Sequence, residues 1–442
     1  MTSLASVRTW AASLKGDVIL PVDSAYDAAR RVWNLDIDRR PALIVRCADE
    51  YDVVRAVDFA RTRDLIVAVR SGGHSQAGHS VCDGGMVIDV GPLNDADVDP
   101  RTRVARIGAG MRVGAMLDAT CAFGLVTPTG ACPDVGIAGL TLGGGESLLM
   151  ARYGAVCDNL ISARVVTAAG RIMTASTDEN ADLYWAIRGG GGNFGIVTAL
   201  YFRLHPLARV LSGRLIFPVS RARDVMRRYR DLMASAPDEL QTSGGLASSE
   251  EEPALFIAVC HCGDGDSGNS LIDRWRVSLQ PESDTVKWVS YSADFVLPAV
   301  ASSGSGSFLP DLNDDLIDVL ADSFSGAPPW CTAAWNDYHG AVTRVLPDAM
   351  AFPLRRSGYD LFVHASWKTE ESRRDALTWL SELHGALRRW ERGVYVNNIG
   401  TESAEQTAAA YGANFERLTT IKAKYDPDNF FHLNHNIRPF DK

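Results

Sequence analysis

The order of apolar and polar positions predicts an α/β unit near the start of the chain. Residues 41 to 69 show a short apolar run, then a helical spacing, then a second apolar run, which predicts strand, helix and strand. The helix is expected to begin behind Asp49, a residue type favoured at helix N-termini. A glycine turn over residues 70–75 follows, and a further strand is predicted over residues 86–90.

The pattern changes twice after this unit. From about residue 100 to 207, short apolar runs alternate with glycine clusters, which is typical of chain that passes close to a ligand or to another backbone. The next part is predicted to contain helices over 219–235 and 372–389, strands over 254–262, 284–291 and 359–367, and a flexible link at Ser303-Gly304-Ser305-Gly306-Ser307. The last fifty residues regain the first pattern.

These changes predict an α+β protein with two domains. The first covers residues 1–207, and residues 395–442 are expected to return to it. The second covers residues 208–394 and is expected to be a substrate-binding domain made of an antiparallel sheet covered by helices. A length of 442 residues agrees with two or three domains.

Composition and charge narrow the class of partner. With 46% hydrophobic and 22% charged residues the chain resembles an ordinary globular protein. Its net charge of −10 argues against nucleic acid and anionic membranes, which both require a basic face. The N-terminus has no apolar stretch behind a basic start, and no later run approaches 18 apolar residues. We therefore expect a cytoplasmic monomer or homodimer that binds small molecules.

Two local patterns suggest chemistry but favour a structural interpretation. Cys260-His261-Cys262 is the one tight cluster among eight scattered cysteines, yet it ends an alternating run whose side chains point to opposite faces, so no metal site is predicted. The glycines of 107–114 imitate a dinucleotide-binding loop, but the third comes one place late and no carboxylate follows at the usual distance. Because of these departures, a nicotinamide-dependent dehydrogenase that uses this loop is kept only as a weaker alternative function for the chain.

His74 and Cys132 form the more informative pair. Each lies on a glycine-flanked turn, where a side chain can approach a bulky planar group without a clash from its neighbours. Histidine nitrogen and cysteine sulfur are also nucleophiles able to bond to an electron-poor ring.

Several motifs resemble one family in order and spacing. They are Arg70-Ser71-Gly72-Gly73-His74-Ser75, Cys132-Pro133-Asp134-Val135-Gly136-Ile137-Ala138-Gly139, Gly143-Gly144-Gly145, residues 153–159, residues 182–195 with four consecutive glycines, and Tyr425-Asp426-Pro427-Asp428-Asn429-Phe430. Together they resemble the berberine bridge enzyme-like oxidases of the vanillyl alcohol oxidase superfamily. The resemblance covers roughly residues 36–207 and 395–440, and the middle third follows the family more loosely.

The resemblance implies a PCMH-type FAD-binding domain of two small subdomains and an FAD held by two covalent bonds, from His74 and from Cys132. Two anchors on one side of the ring system leave an open substrate site. In this family a valine at the position of Val135 is associated with access of O2 to the flavin, so the resemblance also implies an oxidase that releases hydrogen peroxide. The other residues expected around the cofactor are Arg70, Ser71, Gly72, Gly73, Ser75, Gly136, Gly139, Gly143, Gly144, Gly192, Asn193, Gly195, Val197 and Asn397.

The chain departs from the family at three positions that hold tyrosines in many relatives; here they are Gln76, Glu146 and Asn398. Glu146 is the leading candidate for the base, because burial beside a flavin raises the pKa of a carboxyl toward neutrality. The alternative is that Glu146 opens a short helix over 147–152 and pairs with Arg152. Tyr395 is the next candidate, followed by Tyr338 and His339.

The substrate stays open between an alcohol, an amine and a sugar. The aromatic residues that offer a stacking surface, or that simply form core, are Trp335, Tyr338, Tyr359, Phe362 and Trp367. A dehydrogenase that uses another electron acceptor and a non-catalytic FAD-carrying protein are the remaining alternatives.

Overall fold

The first part of the chain forms two small β-sheets. The computed structural model describes residues 4–250, 252–293, 295–400 and 404–440. The first sheet has the order β1-β2-β4-β3, with β2, β4 and β3 parallel. Its strands are β1 (Asp17–Ile19), β2 (Leu43–Arg46), β3 (Val67–Arg70) and β4 (Met86–Asp89), and its helices are α1 (Leu4–Ala11), α2 (Tyr26–Arg30) and α3 (Glu50–Arg61). Asp49 caps α3 by accepting from the Asp52 amide, so the strand, helix and strand predicted for this stretch are confirmed.

The second sheet is antiparallel, with the order β5-β6-β10-β8-β9. Its strands are β5 (Ala96–Asp99), β6 (Val104–Gly108), β8 (Leu160–Val166), β9 (Ile172–Ser176) and β10 (Ile196–Arg203), and β7 (Leu125–Val126) pairs with β11 (His205–Pro206) beside them. The helices of this part are α4 (Val113–Cys121), α5 (Ile137–Leu142), α6 (Met150–Tyr153) and α7 (Ala181–Ala186). The glycines that imitate a dinucleotide loop serve backbone packing here: a Cβ at Gly110 would lie 2.0 Å from the Val90 carbonyl oxygen.

The middle third forms one large antiparallel sheet with the order β15-β12-β14-β13-β18-β19-β17, and β16 also pairs with β12. Its strands are β12 (Val210–Pro218), β13 (Leu240–Ala247), β14 (Ala254–His261), β15 (Ser283–Asp284), β16 (Lys287–Val289), β17 (Ala301–Leu309), β18 (Cys331–Tyr338) and β19 (Gly358–Trp367). The helices are α8 (Ala222–Met233), α9 (Gly265–Leu279), α10 (Asp314–Ser323), α11 (Ala341–Arg344) and α12 (Glu370–Leu387). The predicted helices and the strands over 254–262 and 359–367 are present, whereas the single strand predicted over 284–291 is wrong: the stretch holds the two short strands β15 and β16.

The segment 303–307 corrects a prediction, because it is part of strand β17 and not a flexible link. β17 pairs with β19 along its whole length. A Cβ at Gly304 would lie 2.5 Å from the Phe362 ring, and one at Gly306 would lie 2.7 Å from the Asn398 Cβ. Glycine is therefore required because a ring and a chain segment lie directly on the strand. The serine and glycine composition of 303–307 resembles that of a flexible linker for this reason.

The large sheet has two different faces. On one face alternate residues of β18 and β19 pack under the helices, among them Trp335, Tyr359 and Trp367. On the other face Tyr338 and Phe308 join the core of the first part of the chain. This alternation sends Asn336, Asp360 and Phe362 toward the first part, because successive side chains of a strand point to opposite faces.

The C-terminal segment packs on the first part of the chain. It contains α13 (Ala404–Tyr411) and α14 (Phe415–Tyr425). The buried Lys422 ammonium donates to the carbonyl oxygens of Asn193 (2.8 Å) and Phe431 (2.9 Å) and to Asp426 (2.6 Å). The exact domain boundaries at 207 and 394 stay a prediction. Within the described residues no helix is both long and apolar enough to span a bilayer.

Candidate active site

A cavity of about 510 Å³ lies where the first part of the chain meets the face of the large sheet that the helices leave uncovered. This volume is within the usual range of small-molecule sites. The cavity is lined by residues from 71–76, 130–139, 191–197, β18, β19, 395–399 and 431–435. Among the described residues of its lining, Glu146 is the single aspartate, glutamate, lysine or arginine.

The two turns that carry His74 and Cys132 are locked together. Gly73 has a φ of +75°, which glycine adopts without strain, and places His74 at the cavity wall. Gly72 and Gly136 are in backbone contact, since a Cβ at Gly72 would lie 2.2 Å from the Gly136 nitrogen. The Ser71 hydroxyl donates to the Ala109 carbonyl (2.7 Å) and anchors the same turn.

His74 and Cys132 both line the cavity. The His74 ring stacks on Trp33 with centroids 5.5 Å apart and planes 18° apart. Burial, and after it the charge of Arg112, lowers the pKa of His74 to about 4. Its imidazole is therefore neutral near pH 7 and keeps the lone pair that a nucleophile requires. Cys132 is buried in the opposite turn, with 5% of its surface exposed.

The lining contains unused polar atoms and open space next to glycines, as expected for a large polar ligand. The Ser80 and Tyr411 hydroxyls line the cavity, are buried and have no hydrogen-bond partner. A Cβ added at Gly139 or Gly192 would meet nothing within 4 Å. Because the described lining has no lysine or arginine, a pyrophosphate here would depend on backbone N–H groups of the glycine turns. The residues fit an FAD.

Glu146 lies at the end of the cavity formed by the large sheet. Tyr338 donates its hydroxyl proton to Glu146 Oε1 (2.7 Å), and Asn336 donates its amide N–H to Glu146 Oε2 (2.6 Å). Burial raises the pKa of Glu146 to about 7, although both hydrogen bonds act in the opposite direction. The alternative interpretation of Glu146 is wrong: α6 begins only at Met150, and Arg152 donates to the Cys262 carbonyl (2.5 Å).

Asp360, like Asn336, is a residue of this cluster that sequence reasoning missed. It lies on β19 and is only 1% exposed. Asn398 donates to Asp360 Oδ2 (2.5 Å), and the carboxyl is within hydrogen-bonding reach of Glu146. Burial first, and the charge of Glu146 second, raises the pKa of Asp360 well above its usual value. A charged residue within a strand whose neighbours are buried was the available signal.

Tyr395 holds the triple-glycine segment from the other side. Its phenolic oxygen accepts from the Gly145 amide (3.0 Å) and from Asn397 Nδ2 (2.7 Å), and the residue lines the cavity. Burial, and after it the charge of Glu146, raises the pKa of Tyr395 well above its usual value. Tyr395 is therefore a neutral phenol near pH 7 and lacks the ionised form of a strong base.

Other predicted residues lie outside the cavity lining, and these predictions need correction. His339 faces away and bonds to Asp337 Oδ2 (2.9 Å), because the strand alternation directs this pair off the cavity. Tyr338 contacts Glu146 behind the wall, and Arg70 forms a buried ion pair with Asp89 (2.8 Å). These three residues therefore do not meet a ligand in the cavity.

Gly143 and Gly144 also lie behind the wall, for steric reasons. A Cβ at Gly143 would lie 2.1 Å from Asn397 Oδ1, and one at Gly144 would lie 2.5 Å from the Phe352 ring. Asn193 does line the cavity, but its side chain is used internally, donating to the Gly190 (2.9 Å) and His435 (3.2 Å) carbonyl oxygens and accepting from the Ile437 amide (2.9 Å). It positions the glycine loop.

The remaining predicted cofactor residues line the cavity. They are Ser71, Gly72, Gly73, Ser75, Val135, Gly136, Gly139, Gly192, Gly195, Val197 and Asn397. Asn336, which was not predicted, lines it as well. Of the five aromatic residues considered for stacking, Phe362 lines the cavity. Trp335, Tyr359 and Trp367 lie under the helices, so they belong to the core.

Comparison with known proteins agrees with this architecture. The family described as FAD binding domain matches residues 41–176, and the family described as berberine and berberine like matches residues 394–438. The (R)-6-hydroxynicotine oxidase of Paenarthrobacter nicotinovorans is 32% identical over 97% of this chain and 97% of its own length. The FAD-linked oxidoreductase YvdP of Bacillus subtilis is 31% identical over 96% of this chain and 98% of its own length.

Solved structures give the same result for the fold. The crystal structure of 6-hydroxy-D-nicotine oxidase from Arthrobacter nicotinovorans superposes with a TM-score of 0.88 at 29% identity, covering 97% of this chain and 98% of that chain. The BBE-like 1 protein of Physcomitrella patens reaches 0.88 at 24% identity, with 99% of each chain covered, and supports the fold alone. The predicted fold class and family resemblance are confirmed. The chain therefore belongs to the berberine bridge enzyme-like family and is an FAD-dependent oxidoreductase.

Proposed function

We propose that this protein is an oxidase whose FAD is linked to both His74 and Cys132. It would oxidise a C–H bond next to a hydroxyl or amino group of a small molecule and release hydrogen peroxide. This proposal rests on the position of Glu146, an acid at the end of the cavity whose two carboxyl oxygens each accept a hydrogen bond. Its pKa of about 7 suits a general base at neutral pH.

The proposed attachment is supported by the state of the two nucleophiles. His74 is neutral and is held by Trp33, and Cys132 is presented from the turn that contacts the turn of His74. When bound, the flavin supplies the chemistry of a hydride acceptor that passes two electrons to O2. Val135 lies next to Cys132 in the cavity lining and is the residue we expect to leave the path for O2 open.

Glu146 would take the proton that the substrate loses. In this step the C–H bond gives up hydrogen with its electron pair, the O–H or N–H bond gives up its proton to Glu146, and a C=O or C=N bond forms. Tyr338 and Asn336 hold the carboxylate in place from strand β18, which keeps it aimed into the cavity. A base placed in this way typically contributes about 10²–10⁴-fold to the rate.

The charge of the cavity restricts the substrate class. Because the described lining holds one carboxylate and no lysine or arginine, an anionic substrate would be repelled. Neutral alcohols and amines fit, and a protonated amine would be attracted. The relative from Paenarthrobacter nicotinovorans is named for the oxidation of a hydroxynicotine, so cyclic amines belong in the first screen beside sugars and benzylic alcohols.

The central test is anaerobic reduction of the flavin by a substrate found in that screen. Glu146→Gln should keep its flavin and slow the reduction at least tenfold, about 1.4 kcal/mol in the barrier. Glu50→Gln, which removes a carboxylate paired with Arg164 away from the cavity, is the matched control and should reduce normally. Unchanged reduction in Glu146→Gln would remove this residue from the mechanism.

Peroxide release separates the oxidase from its alternatives. An oxidase consumes O2 and forms hydrogen peroxide in proportion to oxidised substrate. A protein that is reduced by substrate, stays reduced in air and reacts with a quinone or a dye is a dehydrogenase. A protein whose flavin is reduced by dithionite but by no compound of the screen would favour the non-catalytic alternative.

A further inference from the structure

Glu146 and Asp360 form a pair of carboxyl groups with unequal hydrogen bonding. Glu146 accepts from Tyr338 at one oxygen and from Asn336 at the other. Asp360 accepts from Asn398 at Oδ2, while its Oδ1 is buried and meets no donor. The two carboxyl groups are within hydrogen-bonding reach of each other, so one proton shared between them would give each group a hydrogen-bond partner.

The count of donors decides which acid holds that proton. A buried oxygen without a donor is costly for a carboxylate, whereas the same oxygen in a carboxylic acid is itself a donor. Glu146 already receives two hydrogen bonds, which stabilise its ionised form. Asp360 is also the more deeply buried of the two, and Glu146 is the one that lines the cavity.

We propose that Asp360 carries a proton and donates it in a hydrogen bond to the Glu146 carboxylate, so that Glu146 alone is ionised and faces the substrate. Asp360 is then a positioning residue that acts through Glu146. This inference rests on the proposed function of Glu146 as base, and it deepens that function by assigning the resting protonation of the pair.

The surrounding groups agree with one negative charge for the pair. From β18 the phenol of Tyr338 faces Glu146, and from the segment 394–400 the phenol of Tyr395 lies near both acids. The pKa of each tyrosine is raised well above its usual value, first by burial and then by the charge of Glu146. Arg355, the cation that acts on Tyr338, is itself bound by Asp158 at 2.6 Å.

A buried acid can accept a proton here because the pair of carboxyl groups holds only one. If both acids were ionised, two like charges would adjoin in a site of low polarity, which is strongly unfavourable. If both were protonated, Glu146 could not take the substrate proton. With the proton on Asp360, substrate oxidation adds one proton to Glu146 and leaves the pair neutral until that proton is released to solvent or to peroxide.

Infrared spectroscopy of the oxidised protein tests the assignment without turnover. At pH 8.0, wild type and Glu146→Gln should both show the carbonyl band of a buried carboxylic acid that shifts in D2O, and Asp360→Asn should lack it. Asp337→Asn is the matched control, because Asp337 is a buried acid of β18 that bonds to His339 off the cavity. A band lost in Glu146→Gln and kept in Asp360→Asn would place the proton on Glu146 and overturn the proposal. Absence of the band from wild type would overturn it as well.

The pH dependence of flavin reduction gives a second measurement. Asp360→Asn keeps a neutral donor beside Glu146. The pH midpoint of the low-pH limb of its rate profile should therefore stay within about 0.5 pH unit of the wild-type value. Asp360→Ala removes the donor, and the limb should move up by about one unit, a tenfold loss of rate at fixed low pH. Equal shifts in both variants would show a general structural effect and contradict the proposal.

Different results would overturn the role of Glu146 as base and the placement of the proton on Asp360. Normal reduction in Glu146→Gln would overturn the base assignment whatever the infrared spectra show. A carboxylic acid band that belongs to Glu146, combined with slow reduction in Glu146→Gln, would overturn only the placement of the proton.

Discussion

Gly72 and Gly136 lie in direct backbone contact, although 63 residues separate them in the chain. A Cβ at Gly136 would lie 2.4 Å from the Gly72 nitrogen and 2.5 Å from the Ser71 hydroxyl oxygen. Neither glycine can carry a side chain unless two stretches of main chain separate. The contact therefore fixes the turn of His74 against the turn of Cys132.

Gly136→Ala is expected to disturb both turns. We expect a loss of about 1–3 kcal/mol in the free energy of unfolding, as for other overpacked sites, and less flavin per protein. Thermal unfolding and the ratio of flavin to protein absorbance measure the two effects. Gly385→Ala is the control, because its Cβ would meet nothing within 4 Å inside helix α12. Normal stability and flavin content in Gly136→Ala would contradict the importance of the contact.

Variants of the two nucleophiles are expected to remove one flavin link each. After acid precipitation, flavin should stay with wild type, with His74→Ala and with Cys132→Ala, since each single variant keeps one bond. The double variant should release its flavin. Mass spectrometry of flavin-bearing peptides identifies the remaining link. Release of flavin from precipitated wild type would exclude covalent attachment.

The hydrogen bond from Tyr338 should set the low-pH limb of activity. Because Glu146 must be ionised to accept a proton, kcat/KM should rise with pH through about 7, the pKa of Glu146. Tyr338→Phe removes a donor to the ionised form, so the limb should move to higher pH by about one unit. Tyr359→Phe, on the helix-covered face of the sheet, is the control and should not shift it. A limb that stays in place in Tyr338→Phe would contradict this role.

Val135→Ile is expected to separate the two half-reactions. The added methylene narrows the cavity next to Cys132, so reoxidation of the reduced flavin by O2 should slow by about tenfold while reduction by substrate stays unchanged. Stopped-flow mixing of reduced protein with aerated buffer measures the rate. Val277→Ile, at a position 77% exposed, serves as the control. Equal reoxidation rates in all three proteins would exclude a role for Val135 in O2 access.

Lys422→Met should detach the C-terminal segment from the glycine loop of Asn193. The change leaves Asp426 buried without its cation and removes two further hydrogen bonds, so we expect a loss of about 3–5 kcal/mol. Urea unfolding measures this loss. Lys424→Met removes an exposed ion pair with Asp182 and should cost less than about 1 kcal/mol. Similar losses in both variants would contradict a special role for the buried pair.

Local patterns were sufficient for the elements near the start and for the helices of the middle part. Asp49, with apolar residues at helical spacing behind it, predicts α3, and the predicted helix over 372–389 corresponds to α12. Such signals are local, because a cap and an amphipathic face depend on residues a few positions apart. The same local reasoning failed at 303–307, where Gly304 is required by the Phe362 ring and Gly306 by Asn398, both of which lie on the strand.

The candidate site shows the same division. Motif order alone pointed to His74, Cys132 and an unusual Glu146, because those residues lie in turns that neighbouring glycines make recognisable. Sequence reasoning did not find Asp360, and it assigned His339 to the wrong side of the sheet. Both facts depend on which face of β18 and β19 meets the first part of the chain.

The sequence by itself determined the family, the turns that present the two nucleophiles and the presence of an acid where relatives hold a tyrosine. Only the tertiary structure decided what that acid does, because its properties come from residues distant in the chain. Tyr338 and Asn336 approach from β18, and Asp360 from β19, about 190 to 210 residues after Glu146. Burial and hydrogen bonding act through space, so the pKa of a carboxyl is a property of the fold and not of the motif that contains it.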